Sequence, residues 1–123
     1  MILKRGYRAP TEEKEQKALV KWLTLKKITF YHIPNGGYRN AREGAKFKIL
    51  GVKRGIPDLC IPLARKPYHG LYIELKRRVG GVVSLEQGKW IGLLTQLGYC
   101  VKVAYGWDEG VKIVEEYLKG VEW

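Results

Sequence analysis

The chain has 123 residues, 46% of them hydrophobic and 28% charged, a composition that buries a core, excludes a disordered basic tail and implies one folded domain. Its 23 Lys and Arg against 12 Asp and Glu give a formal net charge of +11, so the expected partner is a polyanion, nucleic acid before anionic membrane. No stretch approaches the roughly 18 apolar residues of a membrane span and the start lacks a signal-peptide core, which predicts a soluble protein of the cytoplasm.

Pro10-Thr11-Glu12-Glu13 reads as a capped helix start, and Leu19, Trp22, Leu23 and Leu25 follow at helical spacing, giving a first helix near 11–27. Ile28 to Ile33 turns β-branched and aromatic and ends at Pro34-Asn35-Gly36-Gly37, a strand and a tight turn. The glycine-punctuated basic stretch 38–54 predicts a loop with a short helix around 41–50. Asp58 to Pro62 is a short strand, 63–70 a polar hairpin connection, and Gly70 to Arg77 the next strand. Ser84-Leu-Glu-Gln87 opens a helix in capping-box form, with Trp90, Ile91, Leu93, Leu94 and Leu97 as its apolar residues. Tyr99 to Tyr105 is a strand and Asp108 to Lys119 a last helix. The order α-β-(α)-β-β-α-β-α predicts an α/β fold, a four-stranded mixed sheet flanked by helices. Cys60 and Cys100, each inside an apolar run, suit buried thiols, and no zinc-ligand spacing exists; His32 and His69 are read as bystanders.

Period-two alternation in Tyr72-Ile-Glu-Leu-Lys76 puts Glu74 and Lys76 on one face and Ile73 and Leu75 on the core face. Taken alone this is a solvated ion pair. The preceding strand, however, opens with Gly55-Ile-Pro-Asp58, and if the two strands form a hairpin Asp58 and Glu74 meet on one face. Two close carboxylates repel unless a cation lies between them, and hard oxygen ligands suit Mg²⁺ or Mn²⁺. Asp58, Glu74 and the Leu75 carbonyl are then the metal ligands, with Lys76 orienting water or steadying the charge of a reacting phosphate.

Pro57-Asp58 followed by Glu74-Leu75-Lys76 resembles the PD-(D/E)XK nuclease signature. Glu12-x-x-x-Gln16, Ile33-Pro-Asn-Gly-Gly37, Gly51-Val-x-x-Gly-Ile-Pro-Asp-Leu59, Ser84-x-x-Gln87 and Leu97-Gly-Tyr make the whole, from about residue 11 to 118, similar to the VRR-NUC branch in its stand-alone phage and bacterial form. The resemblance implies a restriction-endonuclease-like core, an N-terminal extension over 1–10, a nuclease domain over 11–119 and a tail over 120–123. It implies Glu12 as the third acid, with Glu15 as the fallback one turn away, and Gln87 beside the lysine. Bland readings stand next to these: Glu12 as a helix-dipole acid, Gln87 as a capping-box residue.

The family also implies a homodimeric, Mg²⁺-dependent endonuclease acting on four-way DNA junctions in a bacterial or phage-infected cell. The hydrophobic stretch from Trp107 to Trp123 and the first helix with Trp22 are the candidate dimer surfaces. Residues 1–54 hold 14 Lys and Arg against 4 acids, and residues 55–123 hold 9 against 8. The expected DNA contacts are Asn35, Gly36, Tyr38, Arg39, Arg42, Lys46, Lys48, Lys53, Arg54 and Arg77, mostly to phosphate. The competing readings are a nicking or restriction-like nuclease on duplex DNA and a non-catalytic basic nucleic-acid-binding module.

Overall fold

Thr11 accepts a hydrogen bond from the Lys14 amide at 3.2 Å and so opens helix α1, Glu12–Leu25, in the computed structural model, which describes residues 8–34 and 40–120. The helix closes where Ile28 N–H reaches the Leu23 carbonyl and Lys27 takes φ +57°, the left-handed turn that lets the chain double back. Strand β1 is only Tyr31–His32, shorter than the apolar run suggested. Its partner β2, Leu59–Ile61, is itself three residues long, and only Cys60 and Leu59 pair with β1. Between them lies α2, Ala41–Ile49, capped by the Asn40 side chain and burying none of its residues.

β3 (Leu71–Lys76) pairs antiparallel with β2 and parallel with β4 (Cys100–Tyr105), giving the mixed sheet in the order β1-β2-β3-β4. The parallel pair needs a crossover, supplied by α3, Leu85–Gln96; α4, Trp107–Leu118, ends the described fold. The expected element order therefore holds throughout.

Alternation along β3 divides the two faces. Leu71, Ile73 and Leu75 are fully buried with Leu59, Ile61, Cys100 and Ala104 against Leu19 and Leu23 of α1 and Val114 and Tyr117 of α4. Each such aliphatic side chain contributes roughly 1.5–3 kcal/mol by leaving water. Gly110 lets α1 and α4 approach closely: a Cβ there would stand 3.0 Å from Leu19. The other face carries Tyr72, Glu74 and Lys76; α3 packs against β4, and its Gln87 reaches Glu74. Both cysteines are free and buried, as expected from their apolar surroundings.

Candidate active site

The β2–β3 register sets Leu59 opposite Ile73, and one step outward brings Asp58 opposite Glu74 on the face away from the core. Because β2 stops at Leu59, the Leu75 N–H facing it has no ladder partner; the Asp58 carboxylate accepts it at 2.8 Å. N–H and C=O of one strand residue point to the same edge, so the Leu75 carbonyl faces that side as well. The first residue of α1, Glu12, completes the group: carboxylate oxygens of Glu12, Asp58 and Glu74 all lie within 4.8 Å of one another. That separation matches the roughly 4–5 Å across a hard cation bound by oxygens.

Glu74 is 1% exposed. Its Oε1 accepts from Gln87 Nε2 at 2.7 Å and faces Lys76 Nζ at 3.4 Å, while Oε2 is buried and has no hydrogen-bond partner. An unpartnered buried acceptor costs about 1–3 kcal/mol. A cation ligated at Oε2 removes that cost, so the residues present fit a divalent metal, and an all-oxygen set favours Mg²⁺ or Mn²⁺.

Gln87 satisfies both of its sequence readings at once. Its Oε1 accepts the Ser84 N–H at 2.8 Å and its backbone N–H donates to Ser84 Oγ at 3.1 Å, closing the capping box. With the amide oxygen committed to the cap, the amide nitrogen is turned toward Glu74. The loop before Asp58 fixes this helix start from below. Gly55 has φ +87°, and a Cβ there would sit 2.7 Å from the Glu86 carbonyl carbon, so only glycine lets the loop lie against the first turn of α3.

Burial raises the Asp58 carboxyl above its usual range, partly offset by the Leu75 N–H and helped by the nearby charge of Glu12. Burial, and then repulsion from Asp58, push Glu74 up to about 8, against the pull of Lys76. Between the ordinary 4.5 and about 8 the folded protein keeps a proton that the unfolded chain has lost, so stability falls as pH rises through that window. Metal-free protein in EDTA is expected to melt higher near pH 5 than near pH 8 by scanning fluorimetry, and Glu74→Gln to flatten the difference. A wild-type melting temperature that climbs over the interval would overturn this charge assignment.

Glu15, the fallback acid, lies outside the cluster. It is 1% exposed and bound bidentately by Arg78 at 2.7 and 2.8 Å, with the Trp107 N–H at 3.3 Å. Arg78 in turn holds Asp108 at 3.0 Å. One helical turn thus separates an acid aimed at the sheet end from an acid locked to the α4 start. His32 is no bystander: its Nδ1 lies 2.8 Å from the Asp58 carbonyl and 3.2 Å from Gln16 Nε2, because β1 pairs with β2 beside Leu59. Its signal was hidden, since the sequence did not say which strand β1 joins. His69 packs edge-on to Tyr99 at the opposite end of the sheet.

Of the expected DNA contacts, Arg42, Lys46 and Lys48 stand exposed on α2, and Lys53, Arg54 and Arg77 are exposed as well. Asn35, Gly36, Tyr38 and Arg39 lie outside the described residues. Of the candidate dimer residues, Trp22 is partly buried against the core, Trp107 is 37% exposed, and Trp123 lies outside the described residues. No helix among the described residues is long and apolar enough to cross a membrane.

A mixed four-stranded sheet, with an acid at the end of one strand and a Glu-x-Lys on its neighbour, defines a nuclease of the PD-(D/E)XK type. The VRR-NUC domain model matches residues 10–108. A solved structure described as a VRR_NUC domain protein is 33% identical, superimposes with a TM-score of 0.81, and is covered over 94% of its length by 94% of this chain. No curated protein matches significantly. The chain belongs to the VRR-NUC family.

Proposed function

We propose that this protein is a metal-dependent, structure-selective DNA endonuclease that hydrolyses phosphodiester bonds in four-way junctions as a homodimer. The observation that carries the chemistry is the convergence of Glu12, Asp58 and Glu74 within 4.8 Å, beside which Glu74 keeps a buried oxygen with no protein partner. Asp58, Glu74 and the Leu75 carbonyl would hold a Mg²⁺ or Mn²⁺ ion, with Glu12 as the third carboxylate. When bound, that ion supplies Lewis acidity at the scissile phosphate and makes a water more acidic.

The remaining work falls to the chain's own groups. Lys76 Nζ, held on the Glu74 carboxylate, orients the attacking water and offsets the charge that builds on the phosphoryl oxygens. Gln87 fixes the Glu74 carboxylate, and the Leu75 N–H fixes that of Asp58. The water oxygen bonds to phosphorus as the bond to the 3′ oxygen breaks. The products are a 5′-phosphate and a 3′-hydroxyl, the latter taking up a proton.

Arg42, Lys46, Lys48, Lys53, Arg54 and Arg77 draw the phosphate backbone toward carboxylates that would repel it, and Asn35, Gly36, Tyr38 and Arg39 contact phosphate in the same way. Symmetric cutting of a junction needs two sites related by a two-fold axis. Leu93 on α3 and Leu97 at its C-cap, 43% and 56% exposed, offer apolar surface for such a pair.

Cleavage of a four-way junction, a flap and a linear duplex compared side by side with Mg²⁺ tests the reading. Junction cutting at symmetric positions, faster than duplex cutting and weakening as salt rises, is the expected result. Equal rates on all three overturn the structure selectivity, and no metal-dependent cutting of any of them overturns the enzyme.

A further inference from the structure

α2, the loop before Gly55 and the start of α3 line a groove of about 490 Å³ that includes Lys48, Lys53 and Arg54 of the proposed phosphate contacts and adds Lys89 and Trp90, which take no part in the chemistry above. The volume is within the roughly 300–1,000 Å³ of small-ligand sites. Four cations, Lys48, Lys53, Arg54 and Lys89, line it against one acid, Glu86, and the half-buried Trp90 forms an aromatic wall. Among the described residues none of the four cations is engaged in an ion pair or side-chain hydrogen bond, and Trp90 has no ring contact. An aromatic face among unengaged cations suits one chemistry in particular: a flat heteroaromatic ring joined to anionic groups.

The groove is coupled to the acidic cluster through two short connections. Trp90 follows Gln87 by three residues on α3, about 4.5 Å along the helix axis and on the same side, and Gln87 holds Glu74. Lys53 and Arg54 precede Asp58 in the loop that Gly55 presses against Glu86. A strand whose phosphate reaches Asp58 and Glu74 therefore passes the groove within a nucleotide or two. In continuous duplex the base faces are covered by their stacked neighbours, so Trp90 meets one only where the strand is unpaired.

We propose that this groove binds an unpaired nucleotide of the DNA substrate, its base stacked on Trp90 and its flanking phosphates on Lys48, Lys53, Arg54 and Lys89. The proposal rests on the nuclease reading and deepens it: a site for an unstacked base beside the cutting centre selects branch points and single-stranded segments over intact duplex.

Fluorescence anisotropy in EDTA, with a labelled short oligothymidylate and a labelled blunt duplex as probes, tests it without cleavage. Trp90→Ala is expected to weaken oligothymidylate binding about tenfold, with Trp90→Phe keeping most of the affinity. Duplex binding stays unchanged in both variants, which also reports that they are folded. The surface double variant Lys48→Ala, Lys89→Ala is expected to weaken oligothymidylate binding and lower its salt slope by about 1 to 2. Unchanged oligothymidylate affinity in Trp90→Ala, or an equal loss on duplex, overturns the proposal. The two readings fail separately: protein that binds oligothymidylate through Trp90 but cuts no DNA with Mg²⁺ sinks the nuclease and leaves the groove.

Discussion

Asp58→Asn is expected to lower DNA cleavage by about a thousandfold or more while DNA binding is retained. The substitution keeps shape and volume but replaces an anionic ligand with a neutral amide at the point where three carboxylates converge. Losing several kcal/mol of metal-derived transition-state stabilisation, at 1.36 kcal/mol per tenfold, gives on the order of a 10³-fold drop. In the proposed reading DNA is held by the exposed cations of α2 and the 53–54 loop, which this change does not touch. Single-turnover cleavage and a binding isotherm in the same buffer separate the two effects. Cleavage by Asp58→Asn at near wild-type rate would sink the assignment of Asp58, and equal loss of binding and cleavage would point to a folding defect.

The second large effect is on stability. Arg78→Ala is expected to destabilise the fold by about 3–5 kcal/mol, because it strands the Glu15 carboxylate, 1% exposed, without its counter-charge. For a domain of this size that lowers the melting temperature on the order of 10 °C. Replacing both partners by apolar residues, Glu15→Leu with Arg78→Met, should recover most of the loss, since a buried pair as such adds little over good packing.

The pH dependence follows the same ion pair. Arg78 holds the Glu15 carboxyl below its usual 4.5, so its contribution is fully present above that value and fades as pH falls below it. Arg78 also ties the exit of β3 to α1 one turn from Glu12, so the single variant should lose cleavage as well as stability. An Arg78→Ala protein that melts like wild type would show that solvent already screens the pair.

The element order was legible because each element carried a local signal. Thr11 and Ser84 marked helix starts, Pro62 and Gly98 marked ends, and alternation in 71–76 separated the core residues from Glu74 and Lys76. The approach of Asp58 to Glu74 followed from one assumption, that two neighbouring strands form a hairpin, and the register bears it out. What stayed hidden depends on contacts between distant segments. The pairing of β1 with β2 brings His32 onto the Asp58 backbone, and Arg78 finds Glu15 across 63 residues. Helical spacing put Glu12 on one stripe with Gln16, Leu19 and Leu23 and left Glu15 as the fallback; the half-buried Arg78 just past β3, which holds the Glu15 carboxylate, separates the two. The double use of Gln87 was missed for a different reason, because a capping residue was set against a site residue when one amide has both a donor and an acceptor to offer.

The proposed chemistry requires Glu12, Asp58 and Glu74 to form one divalent-metal site. Titration of the purified protein with Mn²⁺, followed by electron paramagnetic resonance of the free ion, measures it without DNA or turnover. Saturable binding to wild type, lost or greatly weakened in Asp58→Asn and in Glu74→Gln, is the expected result. Undiminished Mn²⁺ binding in both variants would contradict it.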